Sequence, residues 1–203
     1  FALAAFVLAI TPGPDMALQL SRALNYGRGH GVATAIGEVG GVLVHTTLVA
    51  LGISVLIIAA PPLFLALKIV GAVYLIWLAI QTVRAKGGFR IATAAATRPT
   101  LWQSFWAGVM IDVLNPKVVL FFVTFLPQFV HAGDPNAPGK LFFLGVELMV
   151  VLLPVALLVV FSADWLAKAL TQSRRVQRAL NWGFAGVFAT FAVVILSAQA
   201  RHA

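Results

Sequence analysis

Residues 10–20 read "ITPGPDMALQL", and residues 1–9, "FALAAFVLA", lead into them. Two prolines, a glycine and an aspartate interrupt what is otherwise an apolar helical pattern. Proline removes a backbone N–H and clashes with the preceding turn, so a helix cannot run through "TPGP" unbroken. Pro14 and Asp15 suit the first turn of a new helix, where proline's fixed φ fits and a carboxylate agrees with the helix dipole. The stretch therefore predicts a broken helix.

The surroundings decide what kind of helix is broken. Of 203 residues, 61% are hydrophobic and 10% are charged, against roughly 25% charged in a soluble domain. About 20 apolar residues cross a bilayer as helix, and six such runs follow one another: about 1–20, 33–59, 63–83, 101–130, 141–163 and 179–198. They are too long for barrel strands of about 9–11 alternating residues. The expected fold is an all-α membrane protein, a bundle of six transmembrane helices forming a single domain over residues 1–203. Short connectors carry breakers or charge: "NYGRGHG", "APP", "RAKGGFRIATAAATRP", "HAGDPNAPGK" and "ADWLAKALTQSRRVQR". Phe1 opens the chain within an apolar run and without a basic leader, so the numbering is expected to begin inside the first span.

Charge sets the orientation. Arg22, Arg28, Arg84, Lys86, Arg90, Arg98, Lys168, Arg174, Arg175 and Arg178 fall on connectors 1–2, 3–4 and 5–6, while Lys68, Lys140 and Arg201 fall opposite. The positive-inside bias makes the first set cytoplasmic and places both ends of the chain outside. This distribution accounts for the formal charge of +8 without a nucleic-acid partner. Absence of cysteine excludes disulfides and thiolate chemistry.

A second break repeats the first. In "LNPKVVLFF", Asn115 suits an N-cap and Pro116 the first helical position. The long basic connector divides the chain into repeat 1, about 1–84, and repeat 2, about 100–200. Each begins with a proline-broken span and carries a glutamate in its second helix, Glu38 in "IGEVGG" and Glu147 in "LGVELM". Three helices per repeat would make the two copies inverted, and matched interruptions in two halves point to a midplane binding site.

Asp15, Glu38, Asp112, Lys117 and Glu147 lie inside apolar spans, where each charge costs about 2.5–3.5 kcal/mol unless partnered within the bundle. Lys117 stands in a first turn, on the wrong side of the helix dipole, and needs an anion: Asp15, Asp112 or a ligand carboxylate. Head-to-head pairing of the halves would bring Asp15 to Lys117. The breaks also free backbone donors and acceptors that must not face lipid. Together these groups suit a zwitterion, with Pro12, Gly13, Pro14, Asp15, Asn115, Pro116 and Lys117 as binding residues. Asp15 equally serves to cap its own helix. Glu38 and Glu147 are the preferred proton carriers, with Asp112 and His45 as further candidates; His45 equally reads as a packing group. Gly37 and Gly41 have the spacing of a close helix contact. Tyr74 and Trp77 read as interface anchors or cavity lining, and Trp102, Trp106, Trp165 and Trp182 as an aromatic belt.

Residues 11–57, "LKIVGAVYLIWLAIQ" (67–81) and "GVMIDVLNPKVVLFFVTFLPQFV" (108–130) resemble the LysE/RhtB family of bacterial amino-acid exporters. The early PGP, the glycine-rich second helix and the NPK with a downstream LPQF carry the likeness. It implies a multi-pass protein of the bacterial inner membrane that exports an amino acid by proton antiport, with no cofactor, and attention on the PGP and NPK motifs. Family members often carry Asn where this chain has Asp15, so an additional ionisable group stands at the first break. The likeness leaves the amino acid and any homo-oligomer open. Two other classes fit the residues less well. An exporter of a cation or metal ion would use the buried carboxylates, but Lys117 argues against it. An intramembrane enzyme would need a nucleophile or metal motif, and neither G-x-S-x-G nor H-E-x-x-H occurs.

Overall fold

The computed structural model describes residues 1–53, 61–84, 91–94, 97–131 and 134–172, and scattered positions between 178 and 193. Among them there is helix and no strand. Helix α1, Ala2–Ile10, stops at Thr11, which precedes a proline and is held extended by it. Gly13 is the extended N-cap and Pro14 the first residue of α2, Pro14–Tyr26. The two helices meet at 53°.

Gly27 alone separates α2 from α3, Arg28–Leu48. Its φ of +97° is one that a side chain resists and glycine adopts freely. The predicted connector "NYGRGHG" is thereby corrected to one residue. Helix α3 runs on through a π turn, Val49–Ile53. The residues expected to form a span at 63–83 lie within a helix, α4, Pro61–Arg84.

Thr100 and Gln103 form a reciprocal capping box that starts α5, Leu101–Val113. After Leu114, Asn115 caps the short α6, Pro116–Leu120, its Oδ1 accepting from the Lys117 N–H at 3.1 Å. A π turn, Phe121–Phe125, and a 3-10 turn, Leu126–Phe129, complete this segment, which meets α5 at 49°. Helix α7 spans Ala137–Phe161 and α8 spans Ala163–Gln172, so part of the predicted fifth connector is helical. The predicted sixth span lies largely outside the described residues.

Arg28–Ile53 and Ala137–Phe161 are each long and apolar enough to cross a membrane. The two bent pairs pass the same test when each is taken as one span, which gives two to four candidate spans among the described residues. Leu51, Phe143, Val150 and Leu158 are each at least two-thirds exposed, an outward apolar surface suited to lipid rather than water.

Helix α3 is the centre of the packing, against α2, α5 and α7, while α1 lies on α7 and α4 on the Phe121–Phe125 turn. Its buried stripe, Thr34, Gly37, Glu38, Gly41, Val42 and His45, follows helical periodicity. A Cβ on Gly37 would strike the Phe105 carbonyl, and one on Gly108 the Thr34 carbonyl. The backbones of α3 and α5 thus touch, as the small-residue spacing predicts. Gly41 makes room for the Asp112 side chain in the same crossing.

Candidate functional site

The two breaks meet. Lys117 Nζ lies 2.9 Å from Asp15 Oδ2 and donates to the Thr11 carbonyl at 3.0 Å. In an unbroken helix the Thr11 carbonyl would accept from the N–H four residues on; the prolines free it, and Lys117 of the other break satisfies it. Asn115 holds the opposite end of that lysine's own residue through its backbone N–H. Both charges are largely enclosed, with side-chain exposure of 7% for Lys117 and 16% for Asp15. A cation in the first turn of α6, disfavoured by the dipole, is thus offset by a carboxylate and a carbonyl from the first break.

Around this pair is a cavity of about 20 Å³ whose wall includes Asp15, Gln19, Glu38, Asp112 and Lys117, closed on its apolar side by α1 and α7. That is room for about one water, far less than an amino acid. Gln19 Nε2 donates to Glu38 Oε2, tying α2 to α3. Glu38 and Asp112 are 2% and 1% exposed. Among the described residues, Asp15 Oδ1, Gln19 Oε1, Glu38 Oε1, Asp112 Oδ2 and Asn115 Nδ2 are buried without a hydrogen-bond partner. Such groups are rare in folded proteins and costly, and here they crowd round one cavity. An ammonium also has three donors, and two of those on Lys117 have recorded acceptors. The arrangement can accept donors on its carboxylate side and offer donors at Lys117 and Asn115.

Pro12, Gly13, Pro14 and Pro116 act by shaping the bends. A Cβ on Gly13 would collide with Asp15 Oδ1 and come within 3.3 Å of Lys117 Nζ, so the glycine leaves space for the pair. His45 stacks on Phe122 with ring centroids 5.3 Å apart, and its Nε2 lies 3.4 Å from the Asp112 carbonyl oxygen; these contacts favour the packing role. Glu147, expected to be buried as the counterpart of Glu38, is half-buried on α7 and does not line the cavity, whereas its neighbour Leu148 does. One residue's step on a helix turns a side chain by about 100°, enough to take Glu147 off the inner face. Trp102, Trp106, Trp165, Trp182 and Trp77 are exposed, and Tyr74 pairs with Trp77 at 5.2 Å. No group of three or more His, Asp or Glu among the described residues could hold a metal ion.

Sequence reasoning missed the closure at the other end of α2. Ser21 Oγ and Asn25 Nδ2 donate to the Ala92 carbonyl at 3.0 and 2.8 Å. Arg98 Nη2 donates to the Tyr26 carbonyl at 2.9 Å, and its Nε reaches His30 Nε2 at 3.4 Å. His30 Nδ1 in turn is 3.0 Å from Ser104 Oγ. Ala92 and Arg98 of the basic connector are thus held at the ends of α2 and α3, Arg98 supplying a donor to a helix-terminal carbonyl. Only the position of Arg98, just before the Thr100 cap, hinted at it.

Residues 6–199 match the family model of the LysE type translocator. A homoserine/homoserine lactone efflux protein of Salmonella typhimurium is 31% identical over 207 residues, covering 100% of this chain and 96% of its own length. The uncharacterized membrane protein YrhP of Bacillus subtilis is 32% identical over 178 residues, 84% of each chain. A leucine efflux protein of an Enterobacter species is 24% identical over 201 residues, 97% of this chain and 93% of its own. No solved structure matches.

Proposed function

Because the chain belongs to the LysE-type translocator family, we propose that it is a secondary transporter exporting amino acids or similar small zwitterions from a bacterial cytoplasm. Export across the inner membrane is driven by proton antiport. The observation that carries this reading is the Lys117–Asp15 pair, made between two helix breaks on the wall of a cavity with unpartnered carboxylate oxygens. The relatives named for homoserine and leucine efflux support an α-amino acid as cargo.

The substrate carboxylate binds Lys117 and the Asn115 amide, and its ammonium binds among Asp15, Glu38 and Asp112. Glu38 carries the counter-transported proton, with Asp112 as its neighbour on the wall. Their place beside the cavity supports them over Glu147. One domain of six helices in two inverted repeats surrounds the site, with the connectors rich in Lys and Arg on the cytoplasmic face. The cavity must widen to admit cargo, so binding requires the bent segments to part. The test is uptake into proteoliposomes, scanning amino acids with and without a pH gradient. Movement of at least one amino acid, accelerated by an opposing proton gradient, is expected; if none moves under any gradient, the reading fails.

A further inference from the structure

We infer that Asp15 is a built-in stand-in for the substrate's carboxylate: it occupies Lys117 when the carrier is empty, gives the lysine up to cargo, and takes it back for the return. The inference rests on the transporter reading above and assigns Asp15 a step that substrate binding alone does not require.

The geometry supplies the parts. Asp15 Oδ2 holds Lys117 Nζ at 2.9 Å, as an incoming carboxylate would. The two groups come from different bent segments, so the contact joins the two breaks on the cavity wall rather than lying within one helix. Asp15 Oδ1 has no partner among the described residues, although it is buried, so the carboxylate is anchored to Lys117 by one oxygen. Among the described residues, no N-cap side chain or second cation fixes it there. A one-oxygen anchor is easier to displace than a carboxylate held at both oxygens.

The requirement comes from charge. On the outward leg the cargo carboxylate neutralises Lys117. On the return leg of a proton antiporter Glu38 is occupied by the proton and cannot. An ammonium left unpaired at bilayer depth would raise the barrier for that leg. Asp15, back on Lys117 for that leg, removes it. Loss of Asp15 should therefore slow the empty carrier much more than the loaded one.

The experiment compares two fluxes in proteoliposomes loaded with an amino acid that the wild type moves. Net efflux needs an empty return; exchange against the same amino acid on the other side does not. For Asp15→Asn, the ratio of exchange to net efflux is expected to rise about 100-fold, the scale of an unpaired charge in the membrane. Asp15→Glu, which keeps the anion, should return the ratio to within about threefold of wild type. Gly13→Ala removes no charge; its methyl group would crowd Asp15 off the lysine, and the ratio should rise on the order of tenfold. Should Asp15→Asn fail to accumulate, the Gly13 variant decides the question alone. An active wild type with unchanged ratios in the folded variants overturns this inference and leaves the transporter reading standing. A wild type that moves nothing in either assay overturns both.

Discussion

At the first bend, α1 and α2 meet at 53° across Thr11, Pro12 and Gly13; at the second, α5 and the segment Pro116–Phe129 meet at 49° across Leu114 and Asn115. The bends match in place and angle but differ in what steadies them. The first has no side-chain cap and carries Asp15 in its first turn, where the helix dipole favours it. Thirteen regular residues follow. The second has Asn115 as a cap and carries Lys117, which the dipole opposes. Only five α-helical residues follow before the backbone widens into a π turn. The dipole favours the charge at the first bend and opposes the one at the second, and the same two contacts, from Lys117 to Asp15 and to the Thr11 carbonyl, serve both. An uneven pair of this kind places opposite charges on one cavity, which two identical bends could not do.

Removing the charge that the dipole opposes should have the largest effect. Lys117→Ala is expected to lower transport more than about 100-fold, the scale for truncating one partner of a buried charge pair. Initial rates in proteoliposomes, with monodispersity in detergent as a fold check, measure it. Near-normal efflux by the folded variant would remove the second bend from the site.

The crossing that keeps the bends together comes next. Gly37→Ala forces a methyl group onto the Phe105 carbonyl and should destabilise by about 3 kcal/mol, read as a lower midpoint of thermal unfolding. Gly40→Ala is the control, since its Cβ would meet Val109 at 3.4 Å, an ordinary contact, and the midpoint should hardly move. Equal losses from both would mean that the helices do not approach as described.

Asn115→Ala removes the only side-chain cap at either bend and should cost about 1 kcal/mol, with transport reduced less than by Lys117→Ala. A larger fall in transport than in stability would point to the free Asn115 Nδ2 as a ligand group.

The smallest effect should come from the outer ion pair. Asp134 accepts from Lys140 outside the cavity, and that ammonium, aided by the Asn136 N–H, holds the Asp134 carboxyl below its ordinary range. A lowered folded-state value means that the pair's contribution is present at neutral pH and fades as pH falls through that value. Asp134→Asn should leave transport unchanged and lower the melting temperature slightly at neutral pH, a difference from wild type that narrows as pH falls. A loss of transport would make the outer pair part of the mechanism.

Much of this was legible in the residues. Proline positions and dipole rules located both bends and the need of Lys117 for an anion, because those effects act within one helical turn. Gly37 was likewise readable as a contact from its spacing with Gly41. The fate of Glu147 was not, since which face of a uniformly apolar helix turns inward depends on its neighbours. Nor was the Gln19–Glu38 bond, which depends on how α2 packs against α3. The π turn after Leu120 leaves no local signal in "FFVTF"; it accompanies the packing of α4, whose Gly71 lies against Thr124.

The strap over α2 has a practical corollary. Ser21 and Asn25 share the Ala92 carbonyl, and Arg98 grips the last carbonyl of the same helix. Whatever tilts α2 therefore drags the connector with it, as a lever drags its handle. Ala94 is exposed on that handle and does not line the cavity. Since the chain has no cysteine, a single one placed there would carry a spectroscopic label that reports the tilt from outside, leaving the site untouched.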